Sequence, residues 1–108
     1  MVDKKVPLIH AEKTPQKDVV LDSEGFFVIE VHDKEIIVEY YSNVYKDRRI
    51  VSGSLEKVFS GDKADALSDT IVRYMPHLRA EHYIYLGREL QRAQCALEKN
   101  KKYVQGGC

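Results

Sequence analysis

Phe26-Phe27-Val28-Ile29-Glu30-Val31-His32 and Glu35-Ile36-Ile37-Val38-Glu39-Tyr40-Tyr41 are two runs of β-branched and aromatic residues with only Asp33-Lys34 between them. Such runs favour strands, and the short polar break between them favours a hairpin. If His32 faces Glu35, then Phe27, Ile29 and Val31 share a face with Ile36, Val38 and Tyr40, and that face is wholly apolar. The opposite face collects Glu30, His32, Glu35 and Glu39 with a few apolar residues. A slip of one residue scrambles this division, so the pattern itself selects the register. Asp33-Lys34 lacks the glycine that tight primed turns favour, which leaves a longer loop open as an alternative.

Outward from the hairpin the signals weaken. The first 17 residues are polar, carry Pro7 and Pro15, and read as an arm preceding a single domain over 18–105, with 106–108 as a tail. Asp18-Val19-Val20-Leu21 adds a short edge strand. Downstream, a charged loop runs from Ser42 through Lys46-Asp47-Arg48-Arg49, Ile50-Val51 forms a brief strand ending at Gly53, and Leu55, Val58 and Phe59 recur at helical spacing up to Gly61. Asp62 is placed as an N-cap for a helix carrying Ala64, Leu67, Ile71 and Tyr74 or Met75 on its apolar stripe, and Pro76 stops it. The last helix spans Leu78 to Lys99, with Leu86, Leu90, Ala93 and Leu97 on one stripe. Strands first and helices second give an α+β domain, in which two or three C-terminal helices cover a small antiparallel sheet made of the 26–41 hairpin and one or two short strands.

Composition narrows the function classes. Seventeen basic and seventeen acidic residues give zero formal charge, against the basic excess of a nucleic-acid binder, and leave little self-repulsion to oppose association. No run approaches the ~18 apolar residues of a membrane span, and no secretory signal is evident, so the expected compartment is the cytoplasm. Cys95 and Cys108 form no CxxC pair; Cys95 is expected to be a half-buried helical thiol, and Cys108 a free thiol in the tail. Phosphate loops, nucleophile elbows and zinc-protease motifs are lacking, no metal set is evident, and no cofactor is implied by the residues themselves.

Polar chemistry concentrates on the last helix. His82, Tyr85, Arg88 and Glu89 flank the leucine stripe over two turns and are the candidate ligand-binding residues. The competing and favoured interpretation makes them border residues bonded to one another, for example Tyr85 to Glu89 and Glu89 to Arg92. Gly87 completes the candidate set, since a glycine inside a helix costs about 1 kcal/mol and should have a reason, close helix packing being the favoured one. His32, at the hairpin tip, is expected in solvent. Tyr40, Tyr41, Tyr45, Tyr83 and Tyr85 are expected to gather on one side as a contact surface for a protein partner or a second copy, making a homo-oligomer.

Several segments carry a family resemblance. They are Asp22-Ser23-Glu24-Gly25-Phe26-Phe27-Val28-Ile29, Ser52-Gly53, and above all His82 with Tyr85-Leu86-Gly87-Arg88-Glu89-Leu90, Ala93, Ala96-Leu97 and Tyr103-Val104-Gln105. Together they resemble a domain attached to the C-terminus of archaeal and bacterial proteins similar to dihydropteroate synthase, and linked to some methanogen-type one-carbon proteins. The resemblance implies a module that accompanies pterin or one-carbon chemistry, with a pterin- or folate-type ligand as the cofactor class. It supplies no catalytic residue.

Overall fold

The structure, a computed structural model, describes residues 25–106. The expected arm, the 18–21 edge strand and Cys108 lie outside the described residues. Three strands, β1 (Gly25–His32), β2 (Glu35–Lys46) and β3 (Arg49–Gly61), are followed by helices α1 (Ala64–Tyr74) and α2 (Ala80–Glu98). The sheet is antiparallel in the order β1-β2-β3, so β2 is central, and the α+β arrangement is the one read from the sequence.

The β1–β2 register puts His32 opposite Glu35 and Ile29 opposite Val38. Phe27, Ile29, Ile36, Val38 and Tyr40 accordingly enter one core with Phe59, Ile71, Leu86 and Leu90, and Val31 and Leu97 pack at its margin. The two-residue turn closes without glycine because Asp33 takes a left-handed φ of 51°, which aspartate tolerates better than most side chains.

The third strand corrects the sequence reading. Residues 42–49 are not a loop and 55–61 are not helical; β2 continues to Lys46, Asp47 and Arg48 turn the chain with φ of 54° and 66°, and β3 runs for 13 residues. Two positive φ values in a two-residue loop are the primed geometry that matches strand twist. Register shifts between Tyr40 and Tyr41, and between Val44 and Tyr45, insert Glu56 and Val51 as extra residues in β3. These bulges break the period-two alternation, so Leu55, Val58 and Phe59 fall at spacings that imitate a helix.

The bulge at Glu56 also brings Leu55 onto the face opposite the helices, where Phe26 and Tyr41 stack with ring centroids 5.2 Å apart and planes 7° from parallel. Both rings are only 1% exposed, so this face is not the polar surface its glutamates suggested. Gly53 makes room for the stack, since a Cβ there would sit 2.5 Å from the Phe26 ring and 2.9 Å from Tyr41 Cβ.

The helices cover the other face, α2 over β1 and β2, α1 beside β3, each packed on the other. The first helix begins one residue later than an Asp62 cap requires. Lys63 is the N-cap and makes no side-chain capping bond; Gln94 of α2 instead accepts from the Ala64 N–H at 2.7 Å. Met75 is buried and Tyr74 exposed, which settles the stripe. Tyr83 ties the inter-helix turn, its hydroxyl accepting from the Leu78 N–H and donating to the Met75 carbonyl. At the far end Asn100 adopts φ 53°, with Lys101 N–H bonded to Ala96 O and Asn100 N–H to Leu97 O, a Schellman turn that sends the tail back over α2.

Two glycines should respond oppositely to alanine. Gly53→Ala is expected to lower stability by about 1–3 kcal/mol through overpacking against Phe26, whereas Gly87→Ala, with nothing within 4 Å of the new methyl, should raise it by about 1 kcal/mol. Urea denaturation of the two variants beside the parent chain measures both.

Candidate functional site

Helix α2 aims one flank at the core, and its polar residues divide sharply by depth. His82 and Glu89 are buried at 5% exposure each, Tyr85 and Gly87 are half-buried, and Arg88 is exposed. The five candidate residues therefore do not converge on one point. Gly87 also departs from expectation, because no packed neighbour among the described residues lies where its Cβ would be.

Glu89 is the hub of what does converge. Its Oε1 accepts from the Tyr103 hydroxyl at 2.6 Å and the Gly106 N–H at 3.1 Å, while Arg92 Nη1 donates to both carboxylate oxygens at 2.8 and 2.9 Å. Burial by itself would raise the Glu89 carboxyl; the bonds from Tyr103, Gly106 and Arg92 outweigh it and hold the group below the ordinary glutamate range. Tyr103 shows the counterpart. Burial, then donation to an ionised neighbour, pushes its phenol far above the usual tyrosine value. Arg92 also lies 5.7 Å from the centre of the Tyr103 ring, within range of a cation–π contact.

The same tail reaches the sheet. Gln105 Oε1 accepts from the Ile29 N–H at 2.9 Å, and its Nε2 donates to the Phe27 carbonyl at 3.1 Å. One side-chain amide thus satisfies a donor and an acceptor of β1 as a neighbouring strand would. Residues 103–106 are thereby locked to α2 through Glu89 and to β1 through Gln105. The Glu89–Arg92 pair matches the favoured interpretation, and the Tyr103 ring packs against the core while Val104 is exposed. The role of Gln105 was not read; its only signal was membership of the motif segments.

His82 is different. Its Nδ1 is buried without a hydrogen-bond partner, and its Nε2 lies 3.9 Å from the exposed Glu81 carboxylate. Neither of two cavities, one between β3 and α1 and the other beside the Asp33–Glu35 turn, is lined by His82, Tyr85, Arg88 or Glu89. Among the described residues no three His, Cys, Asp or Glu side chains gather as metal ligands, and no helix is long and apolar enough to cross a membrane. Cys95 is exposed rather than half-buried. His32 is exposed as expected, bonds Glu30 at 2.8 Å, and is raised by that bond. The tyrosines do not gather on one side. Tyr40 enters the helix-side core, Tyr41 the opposite face, where burial and then its bond to Glu39 raise its phenol, and Tyr45 projects from the distal ribbon.

A small α+β module, closed by a buried carboxylate that captures the chain's own tail, is the class these contacts define. The chain belongs to the family described as PterinBD-DUF4346, whose profile matches residues 21–106, and which is the domain family associated with pterin-binding proteins that the motif segments pointed to. It is 34% identical over 102 residues to a protein of Methanocaldococcus jannaschii described as uncharacterized, a match covering 93% of this chain and 17% of that protein. It is 30% identical over 114 residues to a Ycf91-like protein of Nostoc, covering 86% of this chain and 89% of that protein. The chain thus spans a minor part of one relative and most of the other. No solved structure matches it.

The tail lock predicts a pH signature. A carboxyl whose folded-state value is lowered contributes fully above the unfolded glutamate value, near 4.5, and loses that contribution as pH falls through the folded value. Glu89→Gln should cost about 1.5–3 kcal/mol at neutral pH and flatten the acid limb of stability against pH. Thermal melts of parent and variant between neutral and acid pH test both parts.

Proposed function

We propose that the domain is a non-catalytic accessory module of the cytoplasm that associates with a second copy of itself through the distal part of its β2–β3 ribbon. The observation that carries this is apolar exposure where the sheet is thinnest. Beyond Ser42, opposite which β1 begins, the ribbon has two strands among the described residues. There Val44, Ile50 and Val51 are 37%, 39% and 45% exposed and Tyr45 is 53% exposed. A two-stranded ribbon is marginal in water on its own, and docking covers it. Pairing the outer edge of Asn43–Lys46 antiparallel with the same segment of another copy is self-complementary about a two-fold axis, with Tyr45 opposite Val44 and Lys46 opposite Asn43. Zero net charge offers little opposition.

The occupation of Glu89 by its own tail supports a structural role for the motif residues over a catalytic one. We assign any pterin chemistry suggested by the family's description to proteins that carry or accompany the module, not to this chain.

Sedimentation velocity at increasing concentration should show a reversible dimer, and the double variant Tyr45→Ser, Ile50→Ser should be monomeric, with a melting midpoint that does not rise with concentration as the parent's does. A strict monomer for the parent chain overturns the proposal. Folate and simple pterins should leave the parent's melting midpoint unmoved; a saturable rise abolished by His82→Ala or Arg88→Ala would restore the ligand-site alternative on α2.

A further inference from the structure

Among the described residues β3 is an outer strand of the sheet, and α1 runs beside it without closing the space between them. A groove of about 450 Å³ separates the two elements, floored by Phe59 and Leu67 and walled by Thr70 and the exposed Tyr74. Leu67, Thr70 and Tyr74 follow one another at spacings of three and four, so α1 presents a continuous side to the groove. Lys57 and Ser60 line the strand side. Among all the lining residues Lys57 is the one cation, and no carboxylate accompanies it.

We propose that this groove receives an extended segment of a partner protein, carrying an apolar side chain and a carboxylate two residues apart on one face, added to β3 as a further strand. An outermost strand offers main-chain donors and acceptors to an incoming chain, and a helix set beside it supplies the wall that selects side chains. Successive side chains of an added strand point to opposite faces. Every second one therefore enters on the helix side, where Lys57 and Phe59 both lie because they pair with Tyr40 and Val38 of the core face, while its neighbours point to the opposite face. An apolar side chain fits the entering position beside Phe59 and Leu67. A carboxylate entering two residues away, beside Lys57, gains a cationic partner, and a basic segment meets like charge there. The volume suits side chains of a short peptide and falls within the usual range of ligand sites. This goes beyond self-association through the ribbon, which lies at the other end of β3, and stands without it.

The test is selection of random dodecapeptides displayed on phage against the full chain, followed by affinity measurement on the enriched peptides made synthetically. Enriched sequences should carry an acidic residue two positions from an apolar one. Lys57→Glu, which reverses the charge, and Thr70→Trp, which fills the groove, should each weaken binding by about tenfold or more, with melting midpoints near the parent value. The ribbon double variant Tyr45→Ser, Ile50→Ser should bind the same peptides undiminished, which separates this site from the dimer contact. Failure to enrich any sequence, or enriched peptides indifferent to both groove variants, overturns the proposal. So does loss of dimerisation in Lys57→Glu, which would give the groove to a second copy.

Discussion

A carboxylate placed under a helix has to be compensated, and the fold is organised around how Glu89 meets that demand. Isolated burial of the charge would cost several kcal/mol, so the position is tolerable only with donors on every side. Arg92 comes from the same helix three residues on, but Tyr103 and Gly106 come from beyond its end. They arrive there only because Asn100 takes the left-handed conformation that reverses the chain. The reversal in turn brings Gln105 against β1, so one electrostatic requirement fixes the helix end, the tail path and an outer edge of the sheet. Specificity is the gain. A hydrophobic residue at 89 would pack as well but would say nothing about where the tail belongs.

The parts legible in the sequence were those carrying an undisturbed period. Phe27 to Tyr40 alternates cleanly, and its register followed from keeping one face apolar. The stripe of Leu86, Leu90 and Ala93 obeyed the helical period and is buried. β3 was not legible because the bulge at Glu56 puts Leu55 and Phe59 on opposite faces, so that Leu55, Val58 and Phe59 stand at spacings of three and four and not two, and a second bulge at Val51 interrupts the strand again. The strand's length was hidden for a second reason, since Asp47-Arg48 closes a primed turn without glycine, Arg48 being a side chain that rarely takes positive φ. The second small core was hidden by its company. Phe26 and Tyr41 sit among glutamates, and only the glycine at 53 leaves room for their stack.

The candidate site was legible as a place and not as an arrangement. His82 to Glu89 was recognisable as a dense polar run, but helical spacing alone does not tell a side chain aimed inward from one aimed at solvent a few tens of degrees away. Depth separated them, with Glu89 satisfied by the tail, Arg88 in solvent and His82 buried with Nδ1 unpartnered. Gln105 was beyond reach for a general reason. A side-chain amide that substitutes for a strand leaves no periodic trace, because a single residue does the work of a segment.

The tail lock has a consequence for the order in which the molecule can be made. Arg92 answers the Glu89 charge from three residues on, but the two neutral donors that complete its shell, Tyr103 and Gly106, follow 14 and 17 residues after the carboxylate and are among the last of the described residues to leave the ribosome. Until they emerge, the helix can form with its carboxylate only partly satisfied, and the β1 amide at Ile29 waits for Gln105. Nascent chains of this domain therefore complete their packing only once residues 103–106 are out, and a chain cut before Tyr103 would keep both described helices and lack the latch.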